Sequence, residues 1–253
     1  MIALVTGASS GIGRDIARYL SNLDYDLIIT SRNEEKLVEL KKELGKNTNI
    51  IVADLSKEDE CKRLYRQVKE KYEHIDLLVN NAGFGDFGKF SNTDINKDLA
   101  MIDTNIKAVH ILMKLFLKDM TVRNEGRILN VASIAGFMSG PLMATYYATK
   151  SYIIRISEAV REEIKKEKSK VTISVLCPGP VNTNFNNVAN VKFNLKGLSS
   201  EYVAKYAITK TLKGKFLILP GISIKLAKIS SKIMPDKLVT KVCYYMQEKK
   251  KDN

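Results

Sequence analysis

The chain has little of what most cofactor-free chemistry needs. Three cysteines (Cys61, Cys177, Cys243) and two histidines (His74, His110) are scattered over 253 residues with no close spacing. That excludes a recognisable zinc cluster and leaves the cysteines as packing residues. No apolar run approaches the roughly 20 residues of a membrane-spanning helix. In the best candidate, Lys107, Lys114 and Lys118 interrupt the apolar positions. A strand-like run begins at Ile2, so there is no room for a charged region, an apolar region and a cleavage site. We therefore expect no secretory signal and a cytoplasmic protein. Aromatic residues do not interleave with the lysines. The net charge of +13 then reads as solvated helix faces, not as a nucleic-acid surface. Lysine runs at 41–42, 165–166 and 168–170 sit among glutamates on helical segments, where paired charges cost little.

What is present is an alternation. Short β-branched runs at 2–6, 26–30, 49–53, 76–80, 126–132, 171–177 and 215–219 are separated by helix-period segments near 11–23, 33–44, 56–73, 93–120, 145–167 and 199–212. Runs such as Leu27-Ile28-Ile29 are apolar at every position, as strands are when helices cover both faces of a parallel sheet. The expected fold class is α/β, a single-domain, Rossmann-like, doubly wound parallel sheet of about seven strands. Its ligand crevice lies beyond the carboxyl ends of the strands, which directs attention to the residues just after each strand.

After the first strand comes Gly7-Ala8-Ser9-Ser10-Gly11-Ile12-Gly13, opening a helix. Such a turn turns backbone N–H groups and a helix dipole toward a pyrophosphate. Glycine is required where a Cβ would block the turn or the approach of phosphate oxygens. The second strand ends in Thr30-Ser31-Arg32, with no acid before Glu34. A carboxylate there would bond the ribose hydroxyls of NAD(H) and repel a 2′-phosphate. Arg32 is instead suited to grip that phosphate, with help from Ser9, which points to NADP(H) over NAD(H). Taken alone, Arg32 reads better as a solvated surface arginine, and its place after the second strand is what favours the phosphate role. Asp54, followed by Leu55, is either a partner for the adenine amino group or a cap for the next helix.

Six pieces now stand in order: the Gly7/Gly11/Gly13 turn, Asn80-Asn81-Ala82-Gly83, Asn105, Ser133, Tyr146-x-x-x-Lys150, and Pro178-Gly179 leading through Val181 to Thr183. Together they resemble the short-chain dehydrogenase/reductase family over residues 1 to about 185. The resemblance implies an oxidoreductase that moves a hydride between nicotinamide and a carbonyl or alcohol, with Ser133, Tyr146, Lys150 and Asn105 as catalytic residues. Tyr146 and Lys150 share one helix face, and an ammonium beside a phenol is expected to lower a pKa that starts near 10. Ser133 would orient the substrate oxygen. In the family, Lys150 also holds the nicotinamide ribose, and Asn105 helps hold a water for proton relay. Read without the family, Ser133 is a turn or cap residue and Asn105 a polar helix residue in solvent. Asn81, Ala82 and Gly83 would line the cofactor floor, Asn80 would tie strands together, and Thr183 would contact the nicotinamide amide or the pyrophosphate. The family also implies a homodimer or homotetramer built on the two long helices.

Phe84, Phe87, Ile134, Phe137, Met138, Met143, Phe185 and Phe193 suggest an apolar substrate mouth, with 184–200 as a lid. Residues 1–221 form the expected catalytic domain. Residues 222–253 form a basic amphipathic extension that packs on the domain or a neighbouring subunit, or else lies on an anionic membrane surface. Two other readings stay open: a non-catalytic dinucleotide-binding sensor or scaffold, and a peripheral membrane reductase of lipid-like carbonyls.

Overall fold

The computed structural model describes residues 1–45, 47–183, 185, 189 and 197–248. Seven parallel strands form one sheet in the order β3-β2-β1-β4-β5-β6-β9. They are β1 (Ile2–Thr6), β2 (Asp26–Ser31), β3 (Thr48–Val52), β4 (Leu77–Asn80), β5 (Arg127–Val131), β6 (Thr172–Leu176) and β9 (Leu217–Ile218). The order reverses at β1/β4, which places the ligand crevice beyond the ends of those two strands.

The unbroken apolar strands have the expected cause. Alternate residues Ala3, Val5, Leu27, Ile29, Leu77 and Val79 pack under α1 (Gly11–Ser21), α2 (Glu34–Leu44) and α7 (Ser200–Leu212). The residues between them, Leu4, Ile28 and Leu78, pack on the other face against α3 (Glu58–Lys71), α5 (Ala108–Arg123) and α6 (Ala144–Lys166). All of these strand side chains are buried, so no position can be polar without a partner.

Two stretches differ from the sequence reading. The segment expected as one helix over 93–120 is α4 (Ile95–Ile102), a π-helical turn (Asp103–Lys107) and then α5, and Asn105 lies in that turn. Such turns are recurrent features of functional sites. A short parallel pair, β7 (Val181–Asn182) and β8 (Leu198–Ser199), brackets a segment that lies mostly outside the described residues, and with it the expected lid and Phe193. The chain continues as α8 (Ile222–Ile233) and α9 (Asp236–Glu248). Among the described residues no helix is long and apolar enough to cross a membrane.

Candidate active site

One cleft of about 840 Å³ runs along the carboxyl ends of the strands. Its floor is set by glycine. Gly7 and Gly11 have φ of +65° and +55°, and a Cβ on Gly7 would stand 2.8 Å from the Cα of Ala82. A Cβ on Gly13 would stand 2.4 Å from the carbonyl oxygen of Gly7, so α1 can pack on its own loop only without one. Thr6, which the sequence reading did not single out, locks the floor. Its Oγ1 accepts from the backbone N–H groups of Asn81 (2.9 Å) and Ala82 (3.0 Å), while Asn81 Nδ2 donates to the Thr6 carbonyl at 2.9 Å. The Asn80 side chain donates to Asn130 Oδ1 and so ties β4 to β5.

The first turn of α1 carries no acid, and Ser10 at its start makes no side-chain capping bond. Its leading N–H groups therefore face the cleft uncapped. Ser9, Gly11, Ile12, Arg32, Asp54, Leu55, Asn81, Ala82 and Gly83 all line the same wall. Arg32 makes no ion pair among the described residues, and Asn33 beside it caps α2 by accepting from Lys36 N–H. Asp54 Oδ1 accepts from both the backbone and the hydroxyl of Ser56, so the turn-capping reading is present alongside its place in the wall. Gly13 does not line the cleft; it supports the loop from behind.

At the other end β5 delivers Ser133, and the first turns of α6 deliver Tyr146 and Lys150. Ser133 caps a short 3₁₀ turn (Ile134–Phe137) by accepting from Ala135 N–H at 3.2 Å, and its hydroxyl acts on the Tyr146 phenol by lowering its pKa. Gly136 lets that turn press onto α6, since a Cβ there would lie 2.6 Å from the Lys150 carbonyl. Lys150 is 6% exposed and Tyr146 9%. Lys150 Nζ donates to the Val131 carbonyl at 2.9 Å and sits 5.7 Å from the Tyr146 ring centre.

Burial pushes the Tyr146 phenol up to about 12, against the downward pull of the Ser133 hydroxyl. Burial likewise draws the Lys150 ammonium down to about 8. Lys150 is not among the groups that move the Tyr146 phenol, which burial dominates. Desolvation penalises the charged form of both groups, the phenolate and the ammonium.

Asn105 is 1% exposed, which removes the solvent reading. Its Nδ2 donates to the Phe84 carbonyl (2.9 Å) and Thr149 Oγ1 (3.0 Å), and its Oδ1 accepts from Phe84 N–H (3.0 Å). Both its donor hydrogens are committed, so it acts on the cleft through what it holds. It pins the loop after β4 to α6, where Thr149 in turn donates to the Tyr146 carbonyl.

Pro178, Gly179, Val181 and Thr183 border the cleft beside this corner, together with Phe84, Ile134, Met138, Met143 and Phe185. Phe87 packs behind them, and Phe137 lies under α8 with Lys228 over its ring. The far rim comes from Tyr147, which the sequence offers only as a rival acid at the wrong spacing from Lys150, and from residues the sequence reading missed: Ile224, Ala227, Cys243, Met246 and Gln247. Gln247 Nε2 donates to Tyr147 Oη at 2.6 Å, and Cys243 Sγ lies 3.3 Å from Met138 Sδ. Only a spacing of four between Val239, Cys243 and Gln247 hinted at this inner face of α9.

A doubly wound sheet with a glycine cradle and a buried Ser-Tyr-Lys corner defines a dinucleotide-dependent oxidoreductase. Residues 1–192 match the short chain dehydrogenase family, and the chain belongs to it. It is 35% identical over 193 residues to a 3-oxoacyl-[acyl-carrier-protein] reductase of Rickettsia prowazekii, covering 75% of this chain and 76% of that one. A serine dehydrogenase solved with NADP+ superimposes with a TM-score of 0.79 at 31% identity, over 86% of this chain and 92% of that one. A short-chain dehydrogenase/reductase from Burkholderia phymatum, solved with NAD, gives 0.83 at 24% identity over 90% and 91%. The chain is thus an oxidoreductase of a nicotinamide-using family that acts on alcohol and ketone groups.

Proposed function

We propose that this protein is an NADP(H)-dependent carbonyl reductase or alcohol dehydrogenase for an apolar, medium-sized to long substrate. The observation that carries the reading is the burial of Ser133, Tyr146 and Lys150 in one corner of a cleft whose other end is a glycine cradle. That cradle suits a dinucleotide: a Cβ would fill it at Gly7, and the uncapped, acid-free start of α1 favours a pyrophosphate. Gly7, Ser9, Gly11 and Ile12 would hold the phosphates, with Gly13 as their support. Arg32 and Ser9 would hold the 2′-phosphate, Asp54 and Leu55 the adenine, and Asn81, Ala82 and Gly83 the floor. Pro178, Gly179, Val181 and Thr183 would border the nicotinamide, and Tyr146 and Lys150 its ribose. Once bound, the nicotinamide supplies or takes the hydride at the substrate carbon.

The chain's own residues manage the proton. Ser133 donates a hydrogen bond to the carbonyl oxygen and fixes its orientation. Tyr146, kept protonated by burial, gives its proton to that oxygen as it gains charge. Lys150 titrates at about 8, close enough to neutral pH to exchange protons and re-supply the phenol. Asn105 is a positioning residue for this group. The apolar side chains from Phe84 to Met246 exclude water and set the substrate class. The test is oxidation of NADPH and NADH in parallel against a panel of ketones, aldehydes and 3-oxoacyl thioesters, repeated with Arg32→Asp. NADPH preference should fall by at least about tenfold in the variant. An unchanged ratio would place the 2′-phosphate elsewhere, and no turnover with either cofactor would remove the reductase reading.

A further inference from the structure

Helix α8 is amphipathic in the wrong sense for a helix that only packs on its domain. Its inward positions are Ile224, Ala227, Lys228 and Ser231; Ile224 meets Gly179, and Lys228 lies over Phe137. The opposite face carries Ile222, Leu226, Ile229 and Ile233, which are 75%, 59%, 51% and 77% exposed. Spacings of four, three and four put these side chains in one outward stripe. Helix α9 continues the pattern with exposed Leu238, Val242 and Tyr245. Soluble proteins rarely leave so ordered an apolar row in water, and such rows mark contact surfaces.

The charges flanking the rows say what the contact is. Lys225, Lys232, Lys237 and Lys241 stand against two acids, Asp236 and Glu248, and α8 has no acid at all. A symmetric contact with a second copy would bring this lysine edge against itself. An anionic lipid surface accepts both features, since lysines reach the headgroups while the apolar row enters the acyl boundary. The inner faces of the same helices supply Ser223, Ile224, Ala227, Cys243 and Met246 to the cleft rim.

We propose that α8 and α9 form a docking face for anionic membranes, laying the substrate mouth of the cleft on the lipid surface. The face does not depend on the reductase reading. If that reading also holds, the substrate is a long-chain carbonyl drawn from the bilayer.

The test is co-sedimentation of the full chain with vesicles of phosphatidylcholine alone and with about one-third phosphatidylglycerol. Binding is expected only to the anionic vesicles. It should weaken at least about tenfold in Leu226→Glu/Ile229→Glu, and again in Lys225→Glu/Lys232→Glu. None of these residues lines the cleft, so turnover of a water-soluble carbonyl and the melting temperature serve as controls for folding. The chain has no tryptophan, so Leu226→Trp gives a single reporter whose emission shifts to the blue on docking. Failure to bind anionic vesicles, or binding that survives Leu226→Glu/Ile229→Glu, overturns the proposal. A wild-type dimer that those two changes render monomeric, without vesicle binding, assigns the face to a second copy.

Discussion

The two ends of the cleft are built from different materials. At the dinucleotide end the wall is backbone: Gly7 in a left-handed conformation, Gly13 against the Gly7 carbonyl, and Thr6 holding two N–H groups of the neighbouring loop. At the substrate end the wall is side chain, and the side chains of α8 and α9 come from far along the sequence. A backbone wall has little freedom to vary, because one added methyl collides with main chain that cannot move. A side-chain wall can be repacked without touching the sheet. The first suits a ligand common to a whole family, and the second suits a substrate particular to one member.

The comparison breaks first at Gly13. Gly13→Ala should destabilise the fold by about 3 kcal/mol and remove dinucleotide binding, measured by denaturant unfolding and cofactor fluorescence. A fully stable, cofactor-binding variant would mean that the loop has slack that its geometry hides.

A smaller effect sharpens the view of the catalytic corner. Folded Lys150 titrates at about 8, below its ordinary 10.5. Below about pH 8 the buried ammonium therefore carries its full desolvation cost. Between those values the unfolded chain still binds a proton that the folded chain has released, so stability from this group rises with pH. Lys150→Met should then stabilise the cofactor-free protein by about 2 kcal/mol at neutral pH and by nearly nothing near pH 10. Equal effects at both pH values would show that the cost is steric instead of electrostatic. Carbonyl reduction by the wild type should also decline as pH rises through about 8, as the lysine loses its proton.

The sequence made the dinucleotide end legible for the same reason that end is rigid. Glycines at fixed spacing after a strand have few other uses, and Tyr146-x-x-x-Lys150 forces one helix face. The continuous apolar strands gave the parallel sheet. Asn105 marked the right place but not its contacts, because a π-helical turn leaves no periodic signature. Thr6 was passed over, since a threonine ending a strand is ordinary until its neighbours are known. Tyr147 and Gln247 are joined across 100 positions, a pairing no local pattern announces.

The most direct test sets two adjacent tyrosines against each other. Both line the cleft, and both phenols are pushed up by burial, but Tyr146 meets Ser133 while Tyr147 is held by Gln247. Steady-state reduction should be measured for Tyr146→Phe and Tyr147→Phe, with cofactor affinity determined alongside. The account predicts a loss of about 10³-fold or more in kcat for Tyr146→Phe at nearly unchanged cofactor affinity, and less than about tenfold for Tyr147→Phe. Retained turnover in Tyr146→Phe, or the larger loss in Tyr147→Phe, would contradict it.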